Sequence, residues 1–134
     1  MNDEQAIRDV FTGWVEAIQT QNLDGVLANH DPGIVMFDVP PPYDGVRGID
    51  DYRESWPPFF EFIAQGAEFT PVELDVVAGA DVAFAYALLR CGTSAQFDEN
   101  PGNRLRVTLG LRKVDDRWLI AHEHHSFPMT DTEA

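Results

Sequence analysis

The fold is decided by residues 104–127, RLRVTLGLRKVDDRWLIAHEHHSF. The first half alternates apolar residues with Arg and Thr, the two-residue period of a strand with one buried and one exposed face. Asp115-Asp116 predicts a turn, and residues 118–127 predict a strand that returns along the first. We therefore expect a hairpin at the end of the chain.

Two earlier strands extend this hairpin into a meander. Residues 69–78 and 82–93 are rich in Val, Phe and Tyr, and Gly79-Ala80-Asp81 between them predicts a hairpin turn. Residues 98–103, DENPGN, predict a loop. Residues 34–39 predict a buried strand in the N-terminal half, ended by three consecutive prolines.

The remaining N-terminal segments predict helices. Residues 22–27 predict a short helix, and residues 49–63 a longer one that Pro57-Pro58 should kink or split. Helices followed by a meander indicate an α+β fold, a cone-shaped curved antiparallel sheet wrapped around the N-terminal helices and enclosing a pocket. The first helix is predicted by apolar residues at helical spacing: Ile7, Val10, Phe11, Trp14, Val15 and Ile18.

Composition narrows the class of protein. A chain of 134 residues predicts one domain, residues 1–134, with residues 130–134 as a frayed tail. The formal charge of −14 argues against nucleic acid and anionic membranes as partners. Cys91 is the only cysteine, so no internal disulfide forms. No secretion signal or long apolar span is visible, so a cytoplasmic protein is expected.

Three segments, residues 14–24, residues 37–56 and the closing string RWLIAHEHHSFP at 117–128, together resemble the nuclear transport factor 2-like superfamily. This superfamily includes ketosteroid isomerases and SnoaL-like polyketide cyclases. The resemblance implies a SnoaL-like pocket for a small apolar ligand, a homodimer, and chemistry without a cofactor.

The site residues of the ketosteroid isomerases, enzymes whose carboxyl groups have tuned pKa values, match this chain only in part. Asp38 stands where that family has its general base. Trp14 stands where it has a tyrosine donor, and residues 107–110 lack the second, carboxylic donor. Steroid isomerase activity itself is therefore not expected.

Candidate catalytic residues are Asp38, His122 and His124. Asp38 follows an apolar run and can act as a base, or it can simply bind loop N–H groups. His122 and His124 alternate on one strand face, with His125 on the other, and one β-bulge would exchange the two sets. They can line the pocket as acid or enolate stabiliser, lie at a surface or dimer interface, or bind a metal together with Asp38, although no metal site is expected.

Candidate ligand-binding residues are mostly aromatic. Each aromatic can equally be core, and Arg90 can pair with an acid of the chain. The hypothesis is a cofactor-independent isomerase, cyclase or dehydratase acting beside a carbonyl of a polyketide- or steroid-like substrate. The alternatives are a non-catalytic ligand-binding or dimerisation domain and a metal-dependent enzyme. The candidate ligand-binding set is Trp14, Tyr43, Trp56, Phe60 and Arg90.

Overall fold

The computed structural model describes residues 2–129 and confirms the α+β fold, in which N-terminal helices precede a curved, unclosed sheet of six strands. The predicted frayed tail, 130–134, lies outside the described residues. The helices are α1 (Asp3–Gln19), α2 (Leu23–Leu27), α3 (Ile49–Ala64) and α4 (Ser94–Glu99). The strands are β1 (His30–Phe37), β2 (Val46–Arg47), β3 (Glu68–Ala78), β4 (Val82–Gly92), β5 (Leu105–Val114) and β6 (Arg117–Ser126).

Helix α3 runs unbroken through Pro57-Pro58, so the predicted split does not occur. Each proline removes one backbone N–H, which leaves the carbonyls of Arg53 and Glu54 without their usual helical donors. Both of those residues are exposed, so water can satisfy their carbonyl groups. Tyr52 and Trp56 on the opposite side are buried, and their packing holds the helix against the sheet.

The sheet has the strand order β2-β1-β6-β5-β4-β3. Neighbouring strands are antiparallel except β1 and β6, which are parallel. The sheet is therefore mixed, whereas a wholly antiparallel sheet was expected. A parallel pair needs a long connection, and most of the chain lies between these two strands. Their register places Phe37 opposite His124.

The helices cover one face of the sheet. Helix α1 packs against β3 and β6, and α3 packs against β1 and β2. The other face remains open, and Phe84 and Tyr86 on β4 are 48% and 46% exposed. No helix within residues 2–129 is long and apolar enough to cross a membrane.

Helix α4 was not predicted, because residues up to 93 were assigned to a strand. Thr93 begins this helix with a reciprocal cap: its Oγ1 accepts from the Gln96 N–H at 3.2 Å, and Gln96 Oε1 accepts from the Thr93 N–H at 2.9 Å. Thr-x-x-Gln is the sequence signature of such a cap. The helix and the loop after it border the cavity described below.

Candidate functional site

A one-residue bulge in β6 decides which side chains face inward. Gly110 pairs with His122 and Leu111 with Ile120, so Ala121 is the extra residue. Even-numbered residues of β6 face the core before the bulge, and odd-numbered residues face it afterwards. A regular strand would have placed the opposite set of side chains inward.

His122 and His124 consequently face outward. Their rings pack against Phe37, with centroids 5.1 and 5.7 Å away, and His122 Nδ1 lies 2.7 Å from the Val35 carbonyl oxygen. The interpretation in which these histidines line one pocket with Asp38 is wrong, because the bulge exchanges the two faces of the strand. Their outward orientation agrees with the alternative of a surface position. Within residues 2–129, no cluster of three or more His, Cys, Asp or Glu side chains is arranged to hold a metal ion.

Asp38 and His125 meet on the inward face. Since the parallel register pairs Phe37 with His124, the next residue on each segment also comes together. His125 Nδ1 lies 3.3 Å from Asp38 Oδ1, which also accepts from the Val39 N–H at 2.7 Å. Asp38 Oδ2 makes no hydrogen bond to any residue of the described chain, so it is available to a ligand.

Behind His125 lies a carboxylate with no exposed surface, Glu123. Its Oε1 is 2.9 Å from His125 Nε2. Its Oε2 accepts from the Tyr52 hydroxyl at 2.6 Å and lies 2.6 Å from His30 Nε2. Tyr52 in turn accepts from the Trp14 indole N–H at 3.1 Å. A hydrogen-bonded network therefore runs from the core to His125, whose Nδ1 forms an ion pair with Asp38.

The charges of this network follow from its contacts. Burial alone would lower the pKa of His125, but Asp38 and Glu123 on either side raise it to about 9. Burial alone would raise the pKa of Glu123, but His125 and His30 hold it at about 2. Burial and then the Glu123 charge raise the pKa of Tyr52 well above its usual value. At neutral pH the site thus holds an imidazolium against a buried carboxylate.

Asp38 and His125 line a cavity of about 1380 Å³. Its polar lining otherwise comes from Ser55 and from the α4 region, and no lysine or arginine of the described residues lines it. Burial, followed by the nearby charge of Asp38, raises the pKa of the lining Cys91 thiol to about 12, so it remains a thiol at neutral pH. The apolar walls include Val39, Pro40, Trp56, Phe59, Phe62, Phe69, Leu105, Phe127 and Met129.

Only some of the aromatic residues predicted to bind a ligand line the cavity. Trp56 lines the cavity, whereas Phe60 packs behind it with ring centroids 6.2 Å apart. Trp14 is buried in the core, where its indole N–H serves Tyr52 and does not reach the cavity. Tyr43 is 97% exposed and lies outside the cavity lining, because the proline loop carries it into solvent.

Arg90 also lies outside this cavity. Its Nε donates to Glu68 Oε2 at 2.9 Å, and its guanidinium lies 4.0 Å from the centroid of the Phe97 ring. The intramolecular ion pair considered as an alternative is therefore present, although with Glu68 as the acid. The pair lies between β3 and β4, where Arg90 is opposite Thr70.

Sequence reasoning missed the roles of Glu123, His125 and His30. A glycine inside a strand can mark a close approach of another backbone, and Gly110 on β5 lies opposite His122 beside the bulge, so it was the available sign that the histidine alternation changes. Nothing local marks His30, because its partner Glu123 is 93 residues away along the chain.

Comparison with solved structures shows the same architecture in other proteins. An NTF2-like protein of unknown function from Pseudomonas putida KT2440 is 28% identical over 98% of this chain and 91% of its own, with a TM-score of 0.84. A ketosteroid isomerase-like protein from Erwinia carotovora atroseptica is 20% identical over 97% and 100%, with a TM-score of 0.71. An uncharacterized protein with a cystatin-like fold from Caulobacter vibrioides is 17% identical over 96% and 92%, with a TM-score of 0.77.

Sequence comparison gives the family. No curated protein matches the chain. The sequence model of the SnoaL-like domain matches residues 7–130, which is nearly the whole length. The chain belongs to the SnoaL-like domain family.

Proposed function

We propose that the chain binds a small, largely apolar carbonyl compound and moves a proton at the carbon next to the carbonyl group. It would act as a cofactor-independent isomerase, cyclase or dehydratase. The observation that carries the proposal is the pairing of Asp38 with the cationic His125 in an apolar cavity. A carboxylate positioned in such a cavity can accept a proton from carbon.

The proposed reaction begins at Asp38 Oδ2. This atom takes the proton as the C–H bond breaks, and the electron pair of that bond moves toward the carbonyl oxygen to form an enolate. The negative charge thus passes from Asp38 to the ligand while the imidazolium of His125 remains beside both. Return of the proton from Asp38 to another carbon completes an isomerisation. In a dehydration, the electron pair of the enolate expels the β-hydroxyl, which takes the proton from Asp38 and leaves as water. Either outcome leaves Asp38 ionised again.

The size and charge of the cavity favour a neutral ligand with a ring system. Its volume of about 1380 Å³ exceeds the roughly 300–1,000 Å³ of common ligand pockets, so more than one ring fits. Asp38 and Glu99 both line it, while the charge of His125 is already balanced by its carboxylate partners. An anionic ligand would therefore meet repulsion, and a polyketide- or steroid-like ketone would not.

Proton exchange tests this proposal without knowledge of the product. A panel of cyclic enones and bicyclic aromatic ketones such as tetralone is incubated with the protein in D₂O, and deuterium incorporation is followed by NMR. We expect exchange at the carbon next to the carbonyl to exceed the buffer rate for at least one ketone that binds. Ketones that bind, seen as a change in Trp56 fluorescence, but never exchange would instead favour the non-catalytic binding domain.

We also propose that the open face of the sheet pairs with a second copy of the chain. Phe84 and Tyr86 stack there at 6.4 Å between ring centroids, and Val77 and Val82 beside them are 50% and 62% exposed. Exposed apolar patches of this kind are typical of interfaces. The cross-strand rows around Tyr86 carry few charged side chains in a chain of charge −14: Glu73 and Asp75 on β3 and Arg106 on β5, whereas the nearby Arg112 pairs with Asp31.

Light scattering checks this pairing. We expect the wild-type chain to have the mass of a dimer and Tyr86→Glu to have the mass of a monomer, because the variant places a charge in the apolar patch. Tyr43→Glu is the matched control, since Tyr43 is an exposed aromatic outside the sheet. A monomeric wild type, or a Tyr86→Glu variant that remains dimeric, would reject the proposed interface.

A further inference from the structure

We propose that Glu123, held by His30 and Tyr52, is a positioning residue that keeps His125 a cation with Nδ1 directed at Asp38. This inference rests on the proposed function of the Asp38–His125 pair and assigns the group that maintains it. Glu123 has no exposed surface and does not line the cavity, so it can act on a ligand only through His125.

The donors around Glu123 fix its carboxylate. Oε2 accepts from the Tyr52 hydroxyl at 2.6 Å and lies 2.6 Å from His30 Nε2, which leaves Oε1 for His125. Trp14 donates to the Tyr52 oxygen, so the hydroxyl hydrogen of Tyr52 points to Glu123. The carboxylate therefore has donors on both oxygens and one orientation.

The His30 ring is oriented in the same way. Its Nδ1 lies 3.0 Å from the Ala28 carbonyl oxygen, an atom that only accepts, so Nδ1 carries a hydrogen. This contact directs Nε2 toward Glu123. The buried end of the network is thus tied to the backbone before β1 and not to any group in the cavity.

His125 is enclosed between two acids. Nδ1 faces Asp38 and Nε2 faces Glu123, while the rings of Trp14 and Trp56 pack at 5.9 and 6.4 Å. A neutral imidazole has one nitrogen with a lone pair, which would face a carboxylate oxygen here. The doubly protonated ring avoids this repulsion. Glu123 is the more buried of the two acids, with no exposure against 27% for Asp38, so its charge is the less screened.

The pH dependence of His125 involves few other groups. Asp38 and Glu123 face its ring nitrogens, and the Cys91 thiol and the Glu99 carboxyl group line the same cavity. Because burial raises the pKa of Cys91 to about 12, this thiol stays neutral while His125 titrates. Tyr52 and His30 contact the imidazole only through Glu123.

NMR titration of the His125 ring in the full chain tests the inference. We expect a wild-type midpoint near 9 and a midpoint lower by about two pH units in Glu123→Gln, which keeps the shape of the side chain without its charge. In Asp38→Asn the ring should still titrate above its ordinary value of 6.5, because the Glu123 carboxylate remains 2.9 Å from Nε2 and is fully buried. A Glu123→Gln midpoint equal to that of the wild type overturns the inference.

Two features keep the test decisive. If Glu123→Gln does not fold, Asp38→Asn carries it, and a midpoint at or below 6.5 in that variant shows that Glu123 does not hold the cation. If the midpoints move as expected but no ketone exchanges its protons, the positioning role of Glu123 stands and the proposed catalysis fails. The two proposals can thus fail separately.

Discussion

Asp38→Asn should slow deuterium exchange at the carbon next to the carbonyl of a bound ketone by about 10²–10⁴-fold. The amide is nearly the same size as the carboxylate, but it cannot accept a proton from carbon at neutral pH. Ligand affinity should change little, because the apolar walls of the cavity supply most of the contact area. NMR in D₂O measures the rate, and Trp fluorescence measures the affinity.

Asp44→Asn provides the matched control for this change. Asp44 is an exposed acid in the loop after β1, and its contact to Arg47 uses the backbone carbonyl and not the side chain. The control should exchange protons at the wild-type rate. Undiminished exchange by Asp38→Asn would assign the base to another residue and would leave Asp38 with only its contacts to His125 and the Val39 N–H.

Glu123→Ala should lower the free energy of unfolding by about 3–5 kcal/mol at pH 7. The substitution leaves three buried groups, His125, His30 and Tyr52, without their shared acceptor. Domains of this kind are stable by only about 5–15 kcal/mol in total, so the loss is a large fraction. Urea unfolding followed by circular dichroism measures it.

Two comparisons identify the cause of that loss. Glu16→Ala removes an exposed carboxylate of α1 and should change the stability by less than about 0.5 kcal/mol.

The pH profile gives the second comparison. The Glu123 contribution in the wild type is complete above pH 4.5 and is lost as pH falls toward 2. The His125 contribution is complete below 6.5 and is lost as pH rises through 9. The free energy of unfolding should depend less on pH in both ranges in Glu123→Ala. A loss of less than about 1 kcal/mol in the free energy of unfolding would contradict the expectation that three buried groups are left unpaired.

Much of the fold could be predicted because its determinants are local. The helical spacing of Ile7, Phe11 and Ile18 identified α1, and strict alternation identified β5. The parallel pairing of β1 with β6 could not be predicted in this way, since it depends on contacts between distant segments. Helix α4 was missed for a different reason, because its cap at Thr93 was included in the preceding strand.

Only part of the site, Asp38, could be predicted from the sequence. Asp38 was found from its place after a buried strand, and the structure puts it in the cavity lining. The histidines were chosen by regular alternation, which Ala121 interrupts, so the inward residue of the pair His124 and His125 was chosen wrongly. No local pattern could reveal that Glu123 would be a fully buried anion, because its contact His30 comes from the other half of the chain.

The extra residue in β6 has a consequence for how this strand tolerates changes of length. Removing Ala121 would restore regular pairing with β5 and leave Glu123 and His125 on the side they already occupy. Removing Glu123 instead would turn every side chain that follows it to the opposite face, so the imidazole of His125 would point into solvent. When SnoaL-like sequences are aligned, a gap at Ala121 therefore leaves the same side chains facing the core. A gap at Glu123 indicates a protein in which other residues fill the core at this place.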